Sequence, residues 1–276
     1  MVSTMKVWLR RLAVAITFSL GAATAYAQTP QGFDHGAWNH LLQRHVRWTG
    51  DGHASTVNYQ GMATDRDKLQ SYLTTLSAVS RQSFDGWSRE AQLAFLINAY
   101  NAFTVQLILT RYPDLKSIKD LGSFIQSPWK KPFVSLLGQT RSLDDIEHGL
   151  IRGSGRYRDP RIHFAVNCAS IGCPALRPDA YGAEKLDEQL EDQTKRFLGD
   201  RTRNRIADDA LEVSPIFKWY REDFEQGFRG DKALPDFLAR YAGVAGLNAG
   251  QANDLRGGRL AIRFGDYDWR LNDGRR

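Results

Sequence analysis

Cysteine is scarce in this chain: 276 residues contain two, Cys168 and Cys173. Together with one nearby histidine they make an incomplete zinc set, and no His-Glu-x-x-His stretch occurs. No metal and no cofactor is expected. The four residues between the cysteines also differ from the Cys-x-x-Cys spacing usual in thiol–disulfide oxidoreductases. Charge of one sign is equally scant. The formal net charge is +6, and three of the basic residues, Lys6, Arg10 and Arg11, belong to the N-terminal segment discussed next. Without them the charge falls to +3, too little to argue for a nucleic-acid partner. Internal repeats, low-complexity tracts and an obvious domain linker are lacking too. His35, His40, His45 and His53 are irregularly spaced without acidic or cysteine companions, which favours surface and packing roles over a metal cluster.

Residues 1–27 read as a signal peptide. A basic start precedes the apolar run Leu12–Ala23, which is shorter than the ~20 residues of a membrane span. Ala25-Tyr26-Ala27 is a small-x-small cleavage pattern, predicting a cut after Ala27. The expected location is therefore the periplasm or the medium, with an envelope peptide or protein as partner and no membrane span in the mature chain. An oxidising compartment raises the prospect of a Cys168–Cys173 disulfide. The remainder divides into a loose leader, residues 28–36, and one globular domain, residues 37–272.

Of the total, 42% is hydrophobic and 25% charged, which suffices for a sizeable core. The longest helix signal runs from an N-cap at Ser88 to Thr110, with apolar residues on almost every side from Leu93 to Leu109. Such a helix belongs inside a core. Asn98 and Asn101 share one face of it, and buried amides must find partners, so an organised loop or a site is expected there. Ser142 and Asp145 resemble a capping box opening a helix striped by Leu143, Ile146, Leu150 and Ile151. Glu147 falls on or beside that stripe. It requires a cation or hydrogen-bond donors, with Arg152 and Arg161 as candidates. Residues 161–166 alternate apolar and polar, predicting a short strand that hands over at Asn167 to a loop holding both cysteines. The overall expectation is an α+β, helix-rich single domain with a small, mostly antiparallel sheet around the buried helix.

These stretches together resemble the domain-of-unknown-function family 547. The matching pieces are Ala94-Phe-Leu-Ile-Asn-Ala-Tyr-Asn101, Ser142-Leu-Asp-Asp-Ile-Glu-His-Gly149 with Arg152, and Asp159-Pro-Arg-Ile-His-Phe-Ala-Val-Asn-Cys168 through Cys173-Pro174. Further pieces are Ile216-Phe-Lys-Trp-Tyr220 with Asp223-Phe224, and Tyr267-Asp-Trp269. The family core spans about residues 91–197. The resemblance carries Glu147, His148, His163, Cys168 and Cys173 over as motif positions, in a family whose name assigns no activity.

Two functions compete. In the first, the protein is a cysteine-dependent hydrolase or acyltransferase with a papain- or transglutaminase-like site. Cys168 would be the nucleophile and His148 or His163 the imidazole. Glu147 or an asparagine would orient that imidazole, and Asn98, Asn101 or Asn167 would donate to an oxyanion. In the second, it is a non-enzymatic envelope-binding module held by a Cys168–Cys173 disulfide.

Overall fold

The computed structural model describes residues 32–123 and 125–274. The expected signal peptide, residues 1–27, and residues 28–31 of the expected leader lie outside the described residues. The leader's remaining residues pack inward. Phe33 meets Tyr72 and Phe95 edge-on, and His35 Nδ1 lies 2.7 Å from the Tyr72 hydroxyl.

In chain order, α1 (Gly36–His45) runs into β1 (Val46–Trp48), which pairs antiparallel with β2 (Ser55–Val57). Three helices follow: α2 (Tyr59–Thr64), α3 (Arg66–Ser77) and α4 (Arg81–Asp85). Then comes α5 (Arg89–Leu109), capped by the Ser88 side chain, which accepts from the Ala91 N–H. All but three of its 21 residues are buried, in accord with its nearly all-round apolar sequence. It is long and apolar enough to cross a membrane, yet here the protein's own elements cover it.

The hairpin β3 (Val134–Leu136) and β4 (Gln139–Arg141) turns through Leu137 and Gly138, both at positive φ. That is the primed turn whose twist suits two-residue hairpin loops. Ser142 and Asp145 then cap each other reciprocally, through Asp145 N–H to Ser142 Oγ at 3.1 Å and Ser142 N–H to Asp145 Oδ2 at 2.8 Å. The helix they open winds as a π-helix over Asp145–Arg152, a form often found at functional sites.

The expected strand at residues 161–166 is instead a 3-10 helix, Pro160–Phe164. Asp159 accepts from the Arg161 N–H and Pro160 fills the first helical position. This Asp-Pro start outweighs a short alternating pattern. Next come α6 (Leu186–Gly199), β5 (Arg205–Ala207) and β6 (Ala210–Val213), then α7 (Ile216–Trp219), α8 (Arg221–Phe224) and α9 (Leu234–Arg240). Beyond it lies α10 (Ala249–Arg256), opened by a capping box of Asn248 and Gln251. Finally β7 (Ala261–Phe264) pairs parallel with β6, which pairs antiparallel with β5.

The fold is α+β and helix-rich, and its strands form separate two- and three-stranded sheets rather than one. Two apolar clusters fill the interior. One surrounds α5; the other gathers Phe164, Phe197, Phe217, Phe224 and Phe237.

Candidate functional site

The asparagines of α5 organise the site by holding backbone. Asn98 is saturated by Tyr181, donating to its carbonyl at 2.8 Å and accepting its N–H at 3.0 Å. Asn101 spans the start of the cysteine loop, donating to Ala165 O at 3.0 Å and accepting from Asn167 N–H at 2.8 Å. Asn167 in turn donates to Pro174 O at 2.7 Å and accepts from Ala169 N–H at 2.9 Å. None of the three, expected as oxyanion donors, lines the cavity described below. Asn101 and Asn167 shape the loop and Asn98 holds Tyr181, so each buried amide is hydrogen-bonded as burial demands.

That loop is fixed from other sides as well. Gln193 of α6 donates to Phe164 O and Ala175 O, at its two ends. Ile171 and Gly172 donate backbone hydrogen bonds of 2.8 Å to Arg270 O and Asp268 O. A Cβ on Gly172 would stand 2.9 Å from Asp268 N, which explains glycine there. Ala169 is held at φ +61°, a left-handed conformation that costs a non-glycine residue about 1–2 kcal/mol. Strain of this kind persists where the surroundings over-determine the backbone.

The loop presents Cys168 half-buried and Cys173 buried, as free thiols 3.0 Å apart. The two sulfurs share a hydrogen bond, and the Cys168 N–H donates to Cys173 Sγ at 2.9 Å. Ser170 Oγ at 3.2 Å and the Tyr267 hydroxyl at 3.1 Å complete the surroundings of Cys168 Sγ. The Cys173 hydrogen bond, with help from these hydroxyls, draws the Cys168 pKa down to about 7 against the opposing effect of burial. Cys173 moves the other way: burial and the neighbouring sulfur push it well up. One sulfur of the pair is thus poised to ionise while the other keeps its proton.

Cys168 opens onto a cavity of about 230 Å³ lined by residues of both apolar clusters. Glu147, His148 and His163 line it too, so the structure gathers every motif position singled out for chemistry. It does not join them as expected. Among the described residues neither histidine is a hydrogen-bond partner of Cys168 Sγ. His163 Nε2 lies 2.6 Å from Asp223 Oδ2, its ring is stacked 3.9 Å from that of Tyr220, and its Nδ1 is buried without a partner. Burial keeps His163 below its ordinary pKa. Burial also acts to raise Asp223, but hydrogen bonds from His163 and Arg152 outweigh it and hold the carboxyl at about 2. His148 is more exposed; its Nδ1 meets Arg152 Nη1 at 2.8 Å and its Nε2 lies 3.8 Å from Asp144.

The expected Glu147–arginine pair is absent. Arg152 Nε is 2.5 Å from Asp223, and Arg161 is held by Asp159, Asp187 and Glu191. Glu147, only 5% exposed, instead shares a hydrogen bond with the Tyr220 phenol. Sequence reasoning missed Asp223 and Tyr267 as site residues. Both lay in stretches recognised as family motif, Asp223-Phe224 and Tyr267-Asp-Trp269, but neither neighbours the cysteines in sequence.

Residues 84–198 match the family described as "Protein of unknown function, DUF547". That segment is similar to the family and covers less than half of the chain. The match includes Glu147, His148, His163 and both cysteines, whereas Tyr220, Asp223 and Tyr267 come from beyond it. The cavity is therefore completed by the C-terminal third of the chain, outside the matched segment. No curated protein and no solved structure matches the chain.

Proposed function

We propose that this is an exported cysteine-dependent hydrolase or acyltransferase acting on an envelope peptide or protein, with Cys168 as its nucleophile. The observation that carries the reading is a half-buried thiol drawn down to about 7 by its contacts with Cys173, Ser170 and Tyr267 at the edge of a cavity. A thiolate available near neutrality needs no imidazole in contact to begin the reaction. Cys168 Sγ attacks the carbonyl carbon of an ester or amide, and its electron pair forms the carbon–sulfur bond. The carbonyl electrons move to oxygen and return as the leaving group departs, taking a proton from an acid of the cavity. A water or amine then attacks the thioester and releases the thiolate. Tyr267, kept protonated by burial and by the adjacent sulfurs, supplies a hydroxyl donor beside the reacting sulfur.

Thiol–disulfide exchange is a second reading, favoured by the 3.0 Å separation of a thiolate-forming sulfur and a buried, protonated one. In that reaction Cys168 attacks a substrate disulfide and Cys173 resolves the mixed disulfide, leaving the Cys168–Cys173 disulfide and a reduced substrate. The same bond, if permanent, would make the protein a disulfide-held binding module.

Exposure to p-nitrophenyl acetate followed by peptide mass spectrometry separates these. Acyl transfer predicts one acetyl group on Cys168, lost in Cys168→Ala and retained in Cys173→Ala. A reduced, folded protein that remains unacetylated overturns the proposal. Release of substrate thiols that requires both cysteines establishes exchange instead.

A further inference from the structure

Four acidic residues among the described residues are buried, backbone and side chain together: Asp65, Glu147, Asp200 and Asp231. Three have a cation in contact. Asp65 meets Lys68 at 2.9 Å, Asp200 meets Arg203 at 3.2 Å and Asp231 meets Arg240 at 2.7 Å. Glu147 has none. Arg152 feels its charge, but its guanidinium is committed to Asp223 and His148. A buried carboxylate without a counter-ion is costly, and this one opens onto the cavity.

The cavity wall has the complementary character. Asp144 adds a second carboxylate, whose proton affinity is raised chiefly by burial. Among the described residues no lysine or arginine lines the cavity, whereas Trp129, Trp219 and Trp269 do. Indole faces attract cations, and one here already does so: Lys119 Nζ lies 3.7 Å from the Trp269 ring centre. The volume, about 230 Å³, falls below the ~300–1,000 Å³ of drug-sized pockets. It suits a slender chain rather than a bulky ring system.

We infer that the cavity binds a primary alkylammonium group, with Glu147 accepting its N–H hydrogens, Asp144 adding charge and the tryptophans covering its methylenes. A primary ammonium suits Glu147 better than a quaternary one because it can donate charge-assisted hydrogen bonds. The inference rests on the proposed reaction only in placing substrate in this cavity. It names the substrate class: an acyl donor or acceptor with an aminoalkyl arm, such as a lysine-like side chain.

The test is titration of the whole protein, as Cys168→Ser, with n-butylammonium and with n-butanol, followed by tryptophan fluorescence. Removing the nucleophile keeps the outcome independent of any reaction. Butylammonium should bind in the millimolar range, at least tenfold tighter than butanol, and Glu147→Gln should remove at least tenfold of that affinity. Equal binding of the two probes, or unchanged affinity in a folded Glu147→Gln protein, overturns the inference. If Glu147→Gln does not fold, Asp144→Asn and the butanol comparison decide: a preference for the ammonium that Asp144→Asn weakens supports it, and no preference refutes it. Butylammonium binding without Cys168 acetylation removes the reaction and leaves the ligand. Acetylation without ammonium selectivity does the reverse.

Discussion

The two sides of the cysteine loop obey different polar rules. On the α5 side every amide that sequence reasoning noticed is satisfied by backbone: Asn98 by Tyr181, Asn101 by Ala165 and Asn167. On the cavity side Glu147 has no cation, His163 Nδ1 has no partner and a thiol is drawn toward ionisation. Both sides are buried and both are rich in motif residues. The difference lies in whether folding alone meets their demands. A polar group that the chain satisfies itself secures the fold, whereas one left unmet is available to a ligand or a reaction.

The largest break in that comparison should come from α5. Asn101→Ala strands the buried Ala165 carbonyl and Asn167 N–H together. At ~1–3 kcal/mol for each unpaired group, the variant should lose about 2–6 kcal/mol in urea denaturation. Glu147→Gln, one layer away, should change stability by no more than about 1 kcal/mol, because it removes an uncompensated charge rather than a pair. Equal losses in the two variants would erase the distinction and make Glu147 a structural residue.

Why one side was readable in sequence and the other was not follows from range. The α5 helix, its Ser88 cap and the Ser142–Asp145 box are local, and each carried its own signal. The apolar residues surrounding Asn98 and Asn101 announced that those amides were buried. The role of Glu147 depended on where Arg152 and Arg161 found partners, Asp223 and Asp159 with Asp187, and no local pattern decides that. Tyr267 reaches Cys168 across 99 positions. Residues 161–166 failed for a different reason, since six residues of alternating character are too few to outweigh an Asp-Pro helix start.

A smaller effect sharpens the cavity side. The Cys173 thiol is the strongest influence holding Cys168 low, so Cys173→Ala should raise the midpoint of iodoacetamide alkylation from about 7 toward the ~8.5 of an ordinary thiol. Ser170→Ala should raise it less, because Cys173 and Tyr267 remain. A midpoint unmoved by Cys173→Ala would assign the depression to the hydroxyls alone.

The smallest effect concerns pH and stability. His163 is held below its ordinary value of 6.5 by burial, and His35 is lowered to about 4 for the same reason. As pH falls below 6.5 the unfolded chain takes up protons that these rings refuse in the fold, so the unfolded state gains and stability declines. One such group contributes at most about 1.4 kcal/mol per pH unit. Asp223 does not add to this slope. Its contribution is full above the ordinary 3.8 and is lost only as pH falls through about 2. Urea midpoints measured from pH 7 to pH 5 should therefore fall in the parent protein. The fall should be shallower in His163→Gln, which keeps a donor for Asp223 and retains only the His35 share. Identical slopes would mean that His163 accepts its proton within the fold, with Glu147 and Asp223 supporting an imidazolium against Arg152. The unmet group on the cavity side would then be a cation, and Glu147 would have found its counter-ion.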